Sequence, residues 1–417
     1  MRLNKTRVAF FADILTGDLD GAIRTMYQLI NRIDKNRFEF LFIHGGGPAI
    51  VNGFEAIKVP SAYLPFTKVY SLALPGLVRN SLAKKLQSFS PDVVHIATPS
   101  ILGHYALSFA TANGLPVITI YHTHFLSYID YYFKYLPFLI KGVRQSLAAD
   151  HKSFYNRCSK VYVPAKSISA ELLAIGVAGN KMKIWKRGMD TTMFSPLKKN
   201  KTVMRKITGN DNPVILFVSR LVWEKNLEIL FDIVNGFKAD QAGVNFVIVG
   251  DGSARKDCEE KLPNAFFTGA LDHQHLSVLY ASADAFVFPS VSETYGNVVL
   301  EAMASGLPCV IADGGGSRDF IDQGVNGFKC LPNNAADYIV KLKMLLTNNL
   351  LANQFIEAGL AYTQNLSWDN LAEEYFNDVI TLASTKVDNN SAAGLRTKSY
   401  PLLNDYHLPL QATTQYK

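Results

Sequence analysis

The sequence contains few cysteines and no long apolar run. Its four cysteines lie far apart, with neither a CxxC pair nor a spacing typical of metal ligands: Cys158, Cys258, Cys309 and Cys330. Isolated cysteines of this kind are typical of core residues in a reducing cytoplasm and argue against a disulfide framework. No apolar run reaches the roughly 18 residues of a membrane-spanning helix. The N-terminal apolar stretch breaks at Asp13, which predicts a first β-strand rather than a signal peptide, so we expect a cytoplasmic protein.

The positive charge of the chain is concentrated in its first half. Residues 1–185 hold 21 Lys and Arg against 10 Asp and Glu, whereas residues 186–417 hold 21 against 25. Residues 134–166 alone hold seven Lys and Arg and one Asp, among many aromatic side chains. This mixture is typical of an interfacial helix near anionic headgroups, and equally of an amphipathic helix with a solvated basic face. Nucleic acid fits less well, because no recognition module is visible.

The pattern of apolar residues predicts an α/β fold with parallel sheets. A chain of 417 residues is too long for one ordinary core and fits two domains of about 200 residues each. Short apolar runs alternate with longer amphipathic stretches, as in strands and helices around a parallel sheet. The predicted strands are 7–13, 38–45, 92–97, 115–122, 213–221, 244–252, 284–290 and 307–313. The predicted helices are 21–33, 76–89, 224–237, 275–283 and 297–306.

Two consecutive doubly wound units predict two Rossmann-like domains that face a cleft. Ligands of such sheets bind outside the carboxyl ends of the strands, so both domains should present loops to that cleft. Ser367 is a plausible N-cap, with Asp369 in the first turn of a late helix. The predicted segments are a first domain at 1–185, a second domain at 186–365, a crossover helix at 366–385 and a mobile tail at 386–417.

An acidic segment carries the strongest chemical signal. Glu293 and Glu301 are separated by seven residues. A helix beginning near Asn297 would leave Glu293 in the preceding loop and place Glu301 one turn inside. The free amides of Gly296, Asn297 and Val298 would then form an anion site suited to a diphosphate, and a neighbouring carboxylate could accept bonds from ribose hydroxyls. The alternative is a solvated glutamate on an ordinary helix plus a loop carboxylate.

Two cations follow the first strand of the second half. Arg220 directly follows an apolar strand, and Lys225 lies five residues later, at the predicted start of a helix. Two cations at the end of a strand can hold a diphosphate and stabilise it as it leaves. Ordinary surface charges are the alternative.

Two histidines end a strand in the first half. His122 and His124 lie in YHTH, and in a loop both could reach the cleft. No further ligands accompany them, so no metal site is predicted there. Gly17 and Gly21 lie between the first strand and the first helix, which is the natural phosphate-facing loop of the first domain.

Together, these segments resemble the retaining glycosyltransferases of family 4, which have the two-domain GT-B fold. The resemblance runs in order through ADILTGDLDGAIRTM, YHTHF, RGMDTTMFSP, SRLVWEKN, VIVGDG, FTGAL, SETYGNVVLEAMASGLPCVIADGGGSRDFIDQGVNGF and SWDNLAEEY. Two of the segments, YHTHF and RGMDTTMFSP, look like those of bacterial GDP-mannose-dependent α-mannosyltransferases and sulfoquinovosyl-diacylglycerol synthases, which act on lipid acceptors. The loop GDLDGAIR departs from their pattern, in which an apolar Asn-Gly-Val type of turn is usual.

The resemblance implies a role for each residue of the second domain. Glu301 would bind the ribose, and Glu293 would contact the donor sugar. Arg220 and Lys225 would hold the diphosphate, assisted by the amides of 296–298. The base would lie near 267–271, a segment that contains Gly269 and Leu271.

The resemblance also implies roles in the first domain and a mechanism. Gly21 would close over the phosphates, and His122 would touch the transferring sugar. No carboxylate stands out as an attacking base, so front-face displacement is expected, with the departing phosphate accepting the acceptor's proton. Neither a metal nor a cofactor is expected, because the two cations of the second domain substitute for a metal.

The expected reaction is hexose transfer to a lipid or glycan acceptor at the cytoplasmic face of a membrane. GDP-mannose is the first choice of donor and a UDP-sugar the second. A nucleotide-sugar 2-epimerase would share the fold but needs an acid–base constellation that we do not find. A non-catalytic nucleotide-sugar or membrane-binding protein is the other alternative. Asp18 and Asp20 form a DxD motif, which metal-dependent transferases of another architecture use, but no second half of that fold follows.

Overall fold

The computed structural model describes residues 5–16, 21–63, 71–122, 129, 133, 136–239 and 243–392. The strands of the first half are β1 (Thr6–Ile14), β2 (Phe38–Gly46), β3 (Ile50–Val51), β4 (Phe54–Lys58), β5 (Ser61–Tyr63), β6 (Ser71–Ala73), β7 (Val93–Ile96), β8 (Val117–Ile120), β9 (Lys160–Val163) and β10 (Met182–Ile184). They form a sheet in the order β10-β9-β8-β7-β1-β2-β4-β3, plus a separate β5-β6 hairpin. The pairs in the large sheet are parallel except β3 with β4.

The second half builds its own sheet. Its strands are β11 (Val214–Val218), β12 (Asn245–Val249), β13 (Phe266–Gly269), β14 (Ala285–Phe288), β15 (Cys309–Ala312) and β16 (Gly327–Cys330). They lie in the order β13-β12-β11-β14-β15-β16, and all of these pairs are parallel. The structure therefore confirms the α/β fold class and the parallel sheets.

Helices follow the strands in both halves. Those of the first half are α1 (Gly21–Ile30), α2 (Arg79–Phe89), α3 (Ile101–Ala112), α4 (Pro137–Arg157) and α5 (Lys166–Ala174). Those of the second half are α6 (Lys201–Thr208), α7 (Leu227–Ala239), α8 (Arg255–Lys261), α9 (His273–Ser282), α10 (Asn297–Ala304), α11 (Ala335–Thr347), α12 (Asn349–Gln364) and α13 (Trp368–Ala392). None of these described helices is both long and apolar enough to cross a membrane.

The first sheet has a core on each face. Because side chains alternate along a strand, Val8 and Phe10 of β1 belong to the core that includes residues of α1 and α13, whereas Ala9 and Phe11 belong to the core on the opposite face. A strand buried on both faces reads as a continuous apolar run, which explains the signal in the sequence. The second sheet has a further core. All four cysteines are buried and free, which confirms their assignment to the core.

The late helix α13 packs against the first sheet. Ser367 caps it by accepting a hydrogen bond from the backbone nitrogen of Asn370 at 3.3 Å. Farther along, Tyr375 is buried in the first half, where its hydroxyl lies 2.9 Å from Nδ1 of His95.

The end of α13 differs from the prediction. The helix was expected over 366–385 with a tail at 386–417, but it extends to Ala392. Residues 386–393 contain neither glycine nor proline, the two residues that most disfavour a helix, so the helix can continue beyond 385. The rest of the expected mobile tail lies outside the described residues.

The chain passes between the two sheets twice, after β10 and again before α13, and these two connecting segments pack against each other. Met189 donates its backbone hydrogen bond to the carbonyl of Leu366 at 2.8 Å. The ring of Trp185 lies 6.1 Å from that of Trp368, edge to face. A Cβ on Gly188 would lie 2.4 Å from Cγ of Trp368, so only glycine fits at this approach.

Candidate active site

The loop after β14, which contains Glu293, is held in place by a turn at Gly315 and Gly316. Gly316 donates a backbone hydrogen bond to the carbonyl of Glu293 at 2.7 Å. A Cβ on Gly315 would lie 2.8 Å from the carbonyl oxygen of Val291, so the two segments approach as closely as glycine allows. The backbone of Glu293 is thereby held between the end of β14 and the start of α10.

The structure brings Lys225 and Glu293 together. Nζ of Lys225 lies 2.6 Å from Oε1 of Glu293, and the lysine is buried. The Oγ of Ser292 lies 3.5 Å from the same nitrogen and donates to the carbonyl of Glu224 at 2.8 Å. Arg220 lies at the rim, where its exposed guanidinium is 3.3 Å from Oε1 of Glu224. Two cations, each paired with a carboxylate, therefore lie at the carboxyl ends of β11 and β14.

Lys225 does not begin a helix, contrary to the prediction. It ends a 3₁₀ turn, Trp223–Lys225, and α7 begins only at Leu227. Asn226 interrupts the helix with a left-handed backbone, φ 58°. Its side-chain amide donates to the carbonyls of Pro289 at 3.2 Å and Pro332 at 3.0 Å. These distant carbonyls fix the turn that directs Lys225 into the site.

The helix α10 begins at Asn297, as predicted, and presents its N-terminus to the site. Gly296 precedes it with a left-handed φ of 88°, and a Cβ there would lie 2.7 Å from Cβ of Ser317. Gly296, the N-cap residue, has no side chain that could cap this helix. The amides of its first turn, including that of Val298, are therefore available to an anion.

Glu301 lies one turn into α10 and is buried. The hydroxyl of Tyr280 donates to its Oε2 at 3.2 Å. Burial raises the pKa of Glu301 to about 7, and the guanidinium of Arg24 and the Tyr280 hydrogen bond oppose that rise. A buried carboxylate of this kind can accept hydrogen bonds from ligand hydroxyls.

The first domain faces this site at Gly21. A Cβ on Gly21 would lie 3.4 Å from Nη1 of Arg187 and 3.5 Å from Nδ2 of Asn297, so the starts of α1 and α10 oppose each other. His122 follows β8 and is buried, and neither ring nitrogen has a hydrogen-bond partner among the described residues. Burial lowers its pKa well below the usual range, with Arg187 and His95 adding to the effect, so the ring is neutral.

The segment predicted for the base lies at the end of β13. Gly269 has a left-handed φ of 77°, and a Cβ there would lie 3.2 Å from Nη1 of Arg255. Leu271 is partly buried and packs against the second core. The helix α9 follows at once, and its first residue, His273, contacts Nη1 of Arg24 from the first domain through Nε2.

Three residues that the sequence did not single out belong to this site. Arg187 lies in the RGMDTTMFSP segment, and its guanidinium lies 5.2 Å from the ring centroid of Tyr295. Arg24 lies in the first turn of α1, and Tyr280 lies within α9. The motif around Arg187 was a usable signal, but periodicity placed Tyr280 and Arg24 on ordinary helices.

Some predicted features cannot be placed. His124, Gly17 and the DxD pair Asp18 and Asp20 lie outside the described residues. Within the described ranges, no group of three or more His, Cys, Asp or Glu side chains is arranged to hold a metal ion.

Comparisons with known proteins fit this geometry. Residues 200–361 match the family model described as glycosyl transferases group 1, and residues 19–193 match the one described as Glycosyltransferase Family 4. The GDP-mannose-dependent alpha-mannosyltransferase of Mycolicibacterium smegmatis is 32% identical over 80% of this chain and 88% of its own length. The sulfoquinovosyl transferase SQD2 of Arabidopsis thaliana is 32% identical over 78% of this chain, but the match spans only 63% of that protein.

A solved structure matches the whole fold. The Anabaena protein HepE in complex with UDP and glucose superposes with a TM-score of 0.70, at 18% identity, over 90% of this chain and 100% of HepE. At this identity the likeness shows the fold alone, which is the two-domain GT-B fold.

Proposed function

Because the chain belongs to glycosyltransferase family 4, we propose that it transfers mannose from GDP-mannose to a lipid acceptor with retention of configuration. The enzyme is a glycosyltransferase that uses a nucleotide-sugar donor; the sugar, the acceptor and the stereochemistry are the proposal. The observation that carries it is the Lys225–Glu293 pair beside the N-terminus of α10, opposite Gly21 of the first domain. GDP-mannose is favoured because the mycobacterial relative named above is a GDP-mannose-dependent enzyme.

In this proposal the second domain holds the nucleotide. Lys225, Arg220 and the amides of 296–298 bind the diphosphate, because these positive groups lie at the carboxyl ends of the strands. Glu301 accepts hydrogen bonds from the ribose hydroxyls. The base lies against 269–271, at the end of β13.

The sugar then lies between Glu293 and His122. The uncharged ring of His122 can accept or donate a hydrogen bond to a sugar hydroxyl without repelling the two cations. The bond between C1 and the phosphate oxygen breaks, and the bond between C1 and the acceptor oxygen forms on the same face. The proton of the acceptor hydroxyl passes to the leaving phosphate, whose charge Lys225 and Arg220 stabilise. No protein carboxylate is needed as a base.

A lipid acceptor is supported by the surface of the first domain. Leu77 and Phe138 are 72% and 76% exposed, although both are large and apolar. Lys141 and Arg144 lie exposed on α4, within two turns of Phe138. Apolar side chains beside cations suit the interface of an anionic membrane, where a lipid acceptor would reside.

The domain roles are part of the proposal. The first domain, at 1–185, receives the acceptor, and the second, at 186–365, holds the donor. The predicted crossover segment at 366–385, in which α13 begins at Trp368, couples their movements, because it leaves the second domain and packs on the first.

A donor panel tests the function. The purified protein is incubated in EDTA with GDP-mannose and several UDP-sugars, with and without a lipid extract, and released nucleotide is measured. We expect release of GDP with lipid, lost in Glu301→Ala. Glu301→Ala should also weaken GDP binding tenfold or more, about 1.4 kcal/mol.

The matched control for that experiment is Glu39→Ala. Glu39 pairs with Arg7 on an exposed part of the first sheet, away from the carboxyl ends of its strands. It should retain full release. If no donor releases nucleotide in the presence of lipid, or if Glu301→Ala reacts like the wild type, the proposed function is wrong.

A further inference from the structure

Arg24 extends from the first domain to the second. It lies in the first turn of α1, and its Nη1 contacts Nε2 of His273, the first residue of α9. The Nε of Arg24 is buried and has no hydrogen-bond partner among the described residues. A guanidinium held in this way brings a permanent positive charge across the cleft.

The helix α9 connects this contact to Glu301. His273 begins the helix, and Tyr280, two turns later, donates to Oε2 of Glu301 at 3.2 Å. The charge of Arg24 acts on both members of that pair, because it lowers the pKa of Glu301 and of Tyr280 against the effect of burial. The starts of α1 and α10 oppose each other at Gly21 and Asn297, and Arg24 and Glu301 each lie about one turn farther along these helices, which brings the guanidinium near the carboxylate that was assigned to the ribose.

We propose that Arg24 is a positioning residue of the nucleotide site, which stabilises the carboxylate form of Glu301 when the cleft is closed. A buried glutamate needs a nearby cation to keep its charge, and α1 supplies one from the opposite domain. Ribose hydroxyls donate to a carboxylate more strongly than to a neutral carboxyl group. Nucleotide binding then depends on closure of the cleft. The consequence for ribose rests on the proposed function, whereas the Arg24–Glu301 interaction does not.

Two other titratable groups near Glu301, Tyr280 and Cys309, stay neutral. Burial raises the pKa of Tyr280 well above its usual range, and that of Cys309 on β15 is raised as well, so both remain protonated near pH 7. His273 faces Arg24 from α9. The infrared band of a protonated carboxyl group that Glu301→Gln removes reports the protonation of Glu301 itself.

The primary test measures the titration of Glu301 directly. The band is the carboxyl C=O stretch that Glu301→Gln removes, followed against pH in the whole protein without nucleotide. In the wild type its midpoint should lie near 7. In Arg24→Gln it should rise by about one unit, because an opposite charge nearby has been removed. Arg24→Lys, which keeps the charge, should stay near the wild type.

The matched control is Arg32→Gln. Arg32 follows α1 and pairs with the exposed Asp369 at 2.6 Å, so the variant loses the same charge at a distance from Glu301. Its midpoint should not move. An unchanged midpoint in Arg24→Gln, or an equal rise in Arg32→Gln, would overturn the proposal.

GDP binding separates this inference from the proposed function. At pH 7 the ionised fraction of Glu301 is about one half in the wild type and about a tenth after a rise of one unit, so Arg24→Gln should bind GDP about fivefold more weakly. One outcome would count against the proposed function alone: the infrared midpoint shifts in Arg24→Gln, but the affinity for GDP does not change with pH. Glu301 would then not bind the ribose, whereas its interaction with Arg24 would be confirmed. A pH-dependent affinity that is identical in Arg24→Gln and wild type would overturn the proposal.

Discussion

Replacing Gly296 by alanine tests whether the N-terminus of α10 binds the diphosphate. The backbone of Gly296 is left-handed, φ 88°, which costs an L-residue about 1–2 kcal/mol. In addition, the new Cβ would lie 2.7 Å from Cβ of Ser317, closer than two carbons can approach. Overpacking of this kind adds about 1–3 kcal/mol. Because Ser317 is buried, we expect the clash to be relieved by a shift of the start of α10, which displaces the amides of 296–298.

Gly324 provides a matched control for this substitution. Its φ is 75°, similar to that of Gly296, but a Cβ there meets no atom within 4 Å. Gly324→Ala should therefore lose only the backbone contribution to stability, about 1–2 kcal/mol, and should bind GDP like the wild type.

Thermal unfolding and calorimetric titration with GDP measure the two effects. We expect Gly296→Ala to unfold at a lower temperature than Gly324→Ala, and to bind GDP at least tenfold more weakly, about 1.4 kcal/mol. Wild-type affinity in a Gly296→Ala variant that is less stable than Gly324→Ala would refute the reasoning, because the amides would then have moved without consequence.

Three further predictions concern metal, membrane and pH. Activity should persist in EDTA, because Arg220 and Lys225 stabilise the leaving phosphate; loss of activity that Mg²⁺ or Mn²⁺ restores would contradict this. The protein should co-sediment with anionic vesicles at low salt and be released at high salt, since the contact is partly electrostatic; absent or salt-independent binding would count against a membrane-bound acceptor. The pKa of Glu301 is raised from 4.5 to about 7 on folding, so its contribution to stability is present below pH 4.5 and is lost as pH rises through 7. As pH rises over that range, the unfolding temperature of Glu301→Gln should increase relative to that of the wild type. A difference that does not change with pH would show that Glu301 titrates normally.

Most strands could be predicted from the sequence, because a strand that is buried on both faces is a continuous apolar run. The apolar run at 213–221 became β11, and the run at 284–290 became β14. Helix boundaries were less accurate, because they depend on contacts that are distant in the sequence. The prediction began a helix at 224, but the left-handed turn at Asn226 delays it to Leu227, and that turn depends on the carbonyls of Pro289 and Pro332.

Some residues of the candidate site could be predicted from the local sequence, and others depend on contacts between distant segments. Glu293, Glu301 and the start of α10 could be located because loop, glycine and helix follow one another in the chain. The contact of Arg24 with His273 joins helices of two different domains, and no local pattern in the sequence marks it. The neighbourhood of Arg187 and Gly21 likewise exists only once the two domains face each other.

The central claim is that the cleft transfers a sugar from its nucleotide with retention of configuration. The most direct measurement is the anomeric configuration of the glycosylated product, determined by NMR after reaction of GDP-mannose with lipid extract in EDTA. The account predicts an α-linked mannolipid, because the acceptor oxygen attacks from the face that the phosphate leaves. A β-linked product would contradict it, since inversion requires a protein base on the opposite face.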